Sequence, residues 1–217
     1  MTNILKSIHL DHNILKSHYK VFIAVYAIAV LVGILSQSPA VTVAIVMVIS
    51  APFIGTYFSI YEKNNLNKLY GVLPLRKLEV VAGRYLYVIL LGIINGMLAG
   101  IAAYVLAFFL RSGIGFFDCL TYISVCFLFY CLFIGILFPF YFKFSFSSIY
   151  LVINLPIYIC TVIGIYISKK TSVLKHSGVI IQYFTSHQYM IWIAGFGLGL
   201  LLLLISCFLS YAISNKS

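Results

Sequence analysis

Residues 61–84 read Tyr61-Glu62-Lys63-Asn64-Asn65-Leu66-Asn67-Lys68-Leu69-Tyr70-Gly71-Val72-Leu73-Pro74-Leu75-Arg76-Lys77-Leu78-Glu79-Val80-Val81-Ala82-Gly83-Arg84. The stretch holds five of the chain's 14 basic residues and two of its four acidic ones. Residues 21–61 form a 41-residue run without one charged side chain, and residues 85–110 form a second of 26. A helix crosses the hydrocarbon core with about 20 apolar residues at a rise of 1.5 Å each. The flanking runs therefore read as membrane spans, and the charged stretch as the place where the chain meets water. Composition agrees: the chain is 63% hydrophobic and 8% charged, against roughly 25% charged in a soluble domain. The fold class is an all-α integral membrane protein.

Working outward, the run before the charged stretch is too long for one span and suffices for two, with Ser36-Gln37-Ser38-Pro39 as turn chemistry between them. Spans are expected at 19–36, 41–60, 85–110, 118–141, 148–167 and 189–212, six in all, within a single transmembrane domain covering 1–217. Residues 61–84 then form a cytoplasmic loop and residues 168–188 an outer segment. In residues 1–18, Ile4, Leu5, Ile8 and Leu15 fall near helical spacing, interrupted by Lys6, Asp11 and Lys16. That pattern predicts an amphipathic helix lying on the inner leaflet, in contact with membrane lipids. No small-residue cleavage site follows residues 21–35, so the first span is expected to stay in place.

Lysine and arginine mark the cytoplasmic side of membrane proteins. With the N-terminus inside, that side carries Lys6, Lys16, Lys20, Lys63, Lys68, Arg76, Lys77, Arg84, Lys143 and Lys216, ten in all, against four outside: Arg111, Lys169, Lys170 and Lys175. Both termini and the loop 61–84 are thereby assigned to the cytoplasm. The basic outer segment 169–175 is the one dissenting feature. The net charge of +10 reflects this sorting and not a nucleic-acid face, which would need a contiguous basic surface on a soluble unit.

Gly92, Gly96 and Gly100, and again Gly195 and Gly199, repeat at every fourth residue, a pattern that lets helices approach closely. Packing inside one chain and a subunit interface are both open uses of these stripes. Pro156 is expected to kink the fifth span, and Pro52 offers the same in the second. Asn95 and Asn154 are the most polar residues at mid-span. An amide in hydrocarbon wants a partner, so they read either as glue between helices or as the lining of a substrate path.

Catalysis would need clustered ionisable groups, such as paired carboxylates, a His/Glu metal set or a nucleophile with its base. No Asp, Glu, Lys or Arg falls deep inside a predicted span. His9 and His12 share a helix face with only Asp11 nearby, too few ligands for a metal. The five cysteines, Cys119, Cys126, Cys131, Cys160 and Cys207, lack metal-ligand spacing and read as small buried hydrophobes. The nearest approach to a phosphate-binding loop, GIYISKKT at 164–171, has Lys169 where the second glycine belongs. The chain is therefore expected to be no enzyme and to bind no cofactor. Uphill transport would need a second chain to bind the nucleotide.

Within the loop, Leu66, Leu69, Tyr70, Leu73 and Leu75 are too apolar for an idle solvated segment. Gly71 and Pro74 divide it, and the stretch from Arg76 to Tyr85 suits a helix leading into span three. Leu73-Pro74-Leu75-Arg76, with Val80 and Tyr85, resembles the loop after the second span in membrane subunits of type-2 ATP-binding-cassette exporters. The resemblance is to small bacterial six-helix permeases, including exporters of phenol-soluble modulins and antimicrobial peptides. One serine of that pattern is replaced here by Arg76 or Lys77. The sharp match covers about 25 residues, while the six-span layout covers the chain.

The resemblance implies that Leu66, Lys68, Leu69, Tyr70, Leu73, Pro74, Leu75 and Arg76 form a coupling helix docking on a cytoplasmic ATPase subunit, which binds ATP and Mg. Glu79, Arg84 and Tyr85 are then the lever into span three, while Asn95, Asn154 and Pro156 belong to a substrate path or to helix glue. It implies a second permease copy or a sister permease, and a bacterial plasma membrane location. The aromatic content favours an amphipathic or hydrophobic cargo, peptides first, with drugs, ions or lipid-linked glycans as alternatives. A substrate-binding membrane component of an importer, and a peptide-immunity membrane protein, are the competing readings.

Overall fold

A computed structural model of the chain describes residues 2–16, 19–63, 76–144, 146, 155, 159 and 188–216. Six helices of substantial length lie among them: α1 (Thr2–Lys16), α2 (Tyr19–Ser36), α3 (Pro39–Lys63), α4 (Lys77–Phe109), α5 (Phe116–Lys143) and α6 (Gln188–Lys216). No strand occurs among the described residues. Lys77–Phe109, Phe116–Lys143 and Gln188–Asn215 are long and apolar enough to cross a membrane, and Lys20–Ser36 and Pro39–Pro52 are shorter apolar helices. Helix α2 coincides with the expected first span. Helix α4 starts ahead of the expected third span, so Glu79 and Arg84 are helical and continuous with it. The expected fifth span, with Asn154 and Pro156, and the basic outer segment lie outside the described residues.

Local chemistry sets the helix ends. Helix α2 closes with the Ser38 N–H donating to Gly33 O at 3.2 Å and the Gln37 N–H to Ile34 O at 3.1 Å. This is a Schellman closure, with Gln37 in the left-handed region at φ 52°. Pro39 then opens α3, where its missing N–H is not needed. Helix α4 ends the same way: the Ser112 N–H donates to Ala107 O, the Arg111 N–H to Phe108 O, and Arg111 has φ 50°. The next helices begin on carboxylates. The Arg76 N–H donates to Glu79 Oε2 and the Gly115 N–H to Asp118 Oδ2, each at 2.9 Å. An acid in the first turn also complements the positive end of the helix dipole.

The helix directions follow from the contacts. Gly33 of α2 faces Thr42 of α3 across a tight turn, and Gly96 and Arg84 of α4 meet Met47 and Phe58 of α3, so α2–α3 and α3–α4 are antiparallel pairs. Tyr130 of α5 donates to Val88 O of α4 at 2.8 Å, while Ile123 faces Gly100, making α4–α5 antiparallel as well. Helices α5 and α6 instead run parallel. Ser124 donates to Ile191 O at 3.0 Å near their starts, and Ser206 donates to Gly135 O at 2.7 Å further along both. The chain between them thus re-enters α6 at the end where α5 began.

Both glycine stripes are used within the chain. A β-carbon at Gly92 would lie 2.4 Å from Tyr130 Cε1, and one at Gly100 2.5 Å from Ile123 Cδ1. At Gly195 it would meet Ser124 Oγ at 2.1 Å and Ser124 O, a backbone atom, at 2.7 Å. Around these contacts lies the core of Val43, Met47, Ile54, Val81, Val88, Phe127, Tyr130, Ile134 and Leu137.

The neighbouring glycines of α6 allow a controlled test. Gly195→Ala drives a methyl group into the α5 backbone and is expected to cost about 1–3 kcal/mol. Gly197→Ala meets nothing within 4 Å and is expected to be neutral or slightly stabilising. Thermal unfolding of the detergent-purified chain should separate the two, and equal midpoints would contradict this α5–α6 packing.

Candidate functional site

The ends of the helices sort by charge. Lys20, Lys63, Arg76, Lys77, Arg84 and Lys143 lie at one end of the bundle, where α2 and α4 start and α3 and α5 finish. Arg111, in the α4–α5 turn, is the basic residue at the opposite end among the described residues. The basic end also receives the charged loop. Of its expected coupling residues, Leu66, Lys68, Leu69, Tyr70, Leu73, Pro74 and Leu75 lie outside the described residues. Arg76, exposed with extended backbone, is the N-cap of α4.

From Arg76 inward the first turns of α4 are fixed to every helix around them. The Glu79 carboxylate accepts the Arg76 N–H and so holds the entry of the loop into the helix. Lys77 Nζ donates to Ser214 O at 3.0 Å, near the finish of α6. Arg84 is 5% exposed. Its guanidinium carbon lies 5.3 Å from the ring centroid of Phe58 in α3 and 5.3 Å from that of Phe142 in α5. A guanidinium over aromatic faces gains roughly 2 kcal/mol or more when water is excluded, which offsets part of the cost of burying its charge.

Tyr85 faces the other way, as expected for successive residues about 100° apart on a helix. Its hydroxyl lies 2.6 Å from Ser206 Oγ and 2.8 Å from Ser210 Oγ. Each hydroxyl has one proton, and that of Ser206 is committed to Gly135 O. The order is therefore fixed: Ser210 donates to Tyr85, Tyr85 to Ser206, and Ser206 to the α5 backbone. The tyrosine ring packs edge-on against Phe138 of α5, with centroids 5.1 Å apart. Beside this relay, Glu62, one residue before the α3 terminus, accepts a hydrogen bond from the Phe146 N–H beyond the end of α5.

The remaining expected residues are placed as follows. Asn95 is buried in α4 and accepts hydrogen bonds from the Tyr26 hydroxyl of α2 on its Oδ1 at 3.1 Å and on its carbonyl oxygen at 3.2 Å. Its amide nitrogen is buried without a hydrogen-bond partner among the described residues. Asn154 and Pro156 lie outside the described residues. Helix α1 packs against α4 with Ser7 and Asp11 buried, and His12 meets Tyr87 edge-on with centroids 6.3 Å apart. Leu5 is turned outward.

Sequence reasoning named Glu79, Arg84 and Tyr85 but not the groups that hold them. Phe58 and Phe142 were two among 18 phenylalanines, with no pattern to single them out. Ser206 and Ser210 did carry a signal, two small polar residues one turn apart in an otherwise apolar segment, and a hydroxyl partner for Tyr85 was the question it posed. As chemistry, the arrangement is a set of fixed polar joints. Among the described residues, no three His, Cys, Asp or Glu side chains gather as metal ligands.

A family model described as "ABC-2 family transporter protein" matches residues 4–215. Comparison with curated proteins and with solved structures gives no match.

Removing the Tyr85 hydroxyl tests the relay directly. Tyr85→Phe keeps the ring against Phe138 and is expected to lower stability by about 0.6–2 kcal/mol, the range for interhelical hydrogen bonds in membranes. In a double-mutant cycle, most of the loss should vanish when Ser206 and Ser210 are already alanine. Additive losses would mean that the hydroxyls do not interact.

Proposed function

Because the chain belongs to the ABC-2 transporter family, we propose that it is the permease subunit of an ATP-driven exporter whose ATPase is a separate cytoplasmic chain. It is a membrane component of a transporter. In this reading the loop 61–84 is the docking element, with Leu66, Lys68, Leu69, Tyr70, Leu73, Pro74, Leu75 and Arg76 on the ATPase. ATP and Mg are held by that partner. One observation carries the proposal: the helix turns that follow the loop are joined to α3, α5 and α6 through Arg84, Tyr85 and Lys77. A push on the loop therefore reaches the bundle as a whole, as a switching transition of packed helices requires.

The same reading takes six spans, both termini in the cytoplasm and a bacterial plasma membrane. The parallel run of α5 and α6 supports this layout, because two spans of the same direction need one return crossing between them. The segregation of basic residues to the end of the loop supports the orientation. The substrate path lies between this chain and a second copy or a sister permease. The cargo is amphipathic or apolar, peptides first, a reading supported by the aromatic content of 18 Phe and 17 Tyr.

Two measurements test the proposal. In a cysteine-free background, a cysteine at Ser112 should react with a membrane-impermeant maleimide in intact cells, and one at Lys63 only after permeabilisation. The reverse pattern would overturn the orientation. The second is co-purification with a separate ATPase chain from the same cells. Alanines at Leu69, Leu73 and Arg76 together should reduce ATPase recovery at least about tenfold, for a docking patch worth 1.4 kcal/mol or more. Unchanged recovery and unchanged ATP turnover would remove the coupling role.

A further inference from the structure

Arg84 is a charged side chain buried inside a membrane helix bundle, and such residues are retained for function far more often than for stability. Two aromatic rings face its guanidinium. The Phe58 and Phe142 rings stand edge-to-face with centroids 5.5 Å apart, and the guanidinium carbon lies at the same 5.3 Å from both. Phe58 also packs on Phe138 and Tyr141, with centroids 5.3 Å and 5.1 Å away. The three helices thus joined are not equivalent. Phe58 belongs to the last turns of α3, the stem that enters the charged loop. Arg84 belongs to the first turns of α4, the stem that leaves it. Phe142 belongs to the last turn of α5, the helix that the Tyr85–Ser206 relay also reaches.

From this we propose that Arg84 is a positioning residue that clamps the two stems of the loop to α5 by cation–π contact, so that a displacement of the loop moves α3, α4 and α5 together. The proposal rests on the reading of residues 61–84 as the docking element. An aliphatic side chain of similar length would fill the same space. It would not hold the stems in register, because dispersion contacts among aromatic rings change little when one ring slides over another. A cation centred over two quadrupoles loses attraction as soon as either ring moves off. The clamp is therefore stiff against sliding of α3 past α5, where an apolar filling would be soft. Adjacent to it, Tyr85 extends the same joint to α6.

The test separates charge from packing. In the purified complex with the co-purifying ATPase, Arg84→Met should leave assembly intact yet reduce permease-stimulated ATP turnover about 5-fold or more, within the usual range of coupling energies. Arg84→Lys, which keeps the cation, should retain most of the stimulation. Replacing Phe142 by mono-, di- and trifluorophenylalanine, nearly the same in size but progressively poorer in ring charge, should reduce it in graded steps. Stimulation equal to that of the native chain in Arg84→Met, or a flat response along the fluorinated series, would overturn the clamp. A second arm needs no ATPase: spin labels on ketone side chains at positions 63 and 143 of the full chain in lipid nanodiscs report the separation of the α3 and α5 ends. Arg84→Met should broaden that distance distribution and Arg84→Lys should not. Failure of the native chain to recover any ATPase would refute the docking reading. An unchanged distribution in Arg84→Met would refute the clamp itself.

Discussion

A polar group without a partner is costly in hydrocarbon, several kcal/mol for each unsatisfied backbone or side-chain donor. In this chain that cost decides which helices touch. Several of the polar side chains that it buries lie between helices: Tyr130 on the Val88 carbonyl, Ser124 on the Ile191 carbonyl, Tyr26 on Asn95, Ser206 on the Gly135 carbonyl and Arg84 on two phenylalanine rings. Apolar surface cannot choose a neighbour in a bilayer, since lipid tails are as apolar as leucine. Helix pairing must therefore come from these few polar contacts and from the close approach that glycine permits. Both converge on α4, the helix that packs against each of the other five.

Convergence on α4 has a mechanical consequence. Its first turns are joined to α3, α5 and α6, while Asn95 further along receives Tyr26 of α2 and Tyr87 faces α1. A helix held at so many points moves only with its neighbours. The segment feeding it is the charged loop, and the carboxylate of Glu79 fixes how the loop enters. The helix start is therefore stiff where a transmitted push would arrive.

Much of this was legible in the sequence, for identifiable reasons. The charge-free runs gave α2, α3, α4, α5 and α6 because the requirement for apolar length is nearly absolute in a membrane. Gly195 and Gly199 announced a close contact because nothing else explains small residues at that spacing among leucines. The start of α4 was harder to place. Residues 76–85 read as a helix leading into the third span, and the carboxylate cap and the buried guanidinium make the two one helix from Lys77 onward. Hydropathy reads Arg84 as a boundary because it scores the residue alone. Among its neighbours inside the bundle are Phe58 and Phe142, which are distant in sequence and alike with every other phenylalanine. The parallel course of α5 and α6 follows from Ser124 and Ser206, and no periodicity within either helix could reveal it. Residues 64–75, on which the docking reading turns, were read from apolar content and resemblance alone.

The four acidic residues bring these threads together. Glu79 and Asp118 hold helix starts, Glu62 holds the backbone beyond α5, and Asp11 is buried where α1 meets the bundle. A carboxylate committed to a backbone N–H is poorly placed to shuttle protons or coordinate a travelling cation, because releasing it would undo the helix end it stabilises. The means by which most ion-driven carriers draw on a gradient are therefore spent here on architecture. In the proposed reading the lever is the basic end itself, where Lys77, Arg84 and Tyr85 join the helix that leaves the loop to its neighbours. Work done on that loop by another molecule is the energy input that the proposed docking assigns to these joints.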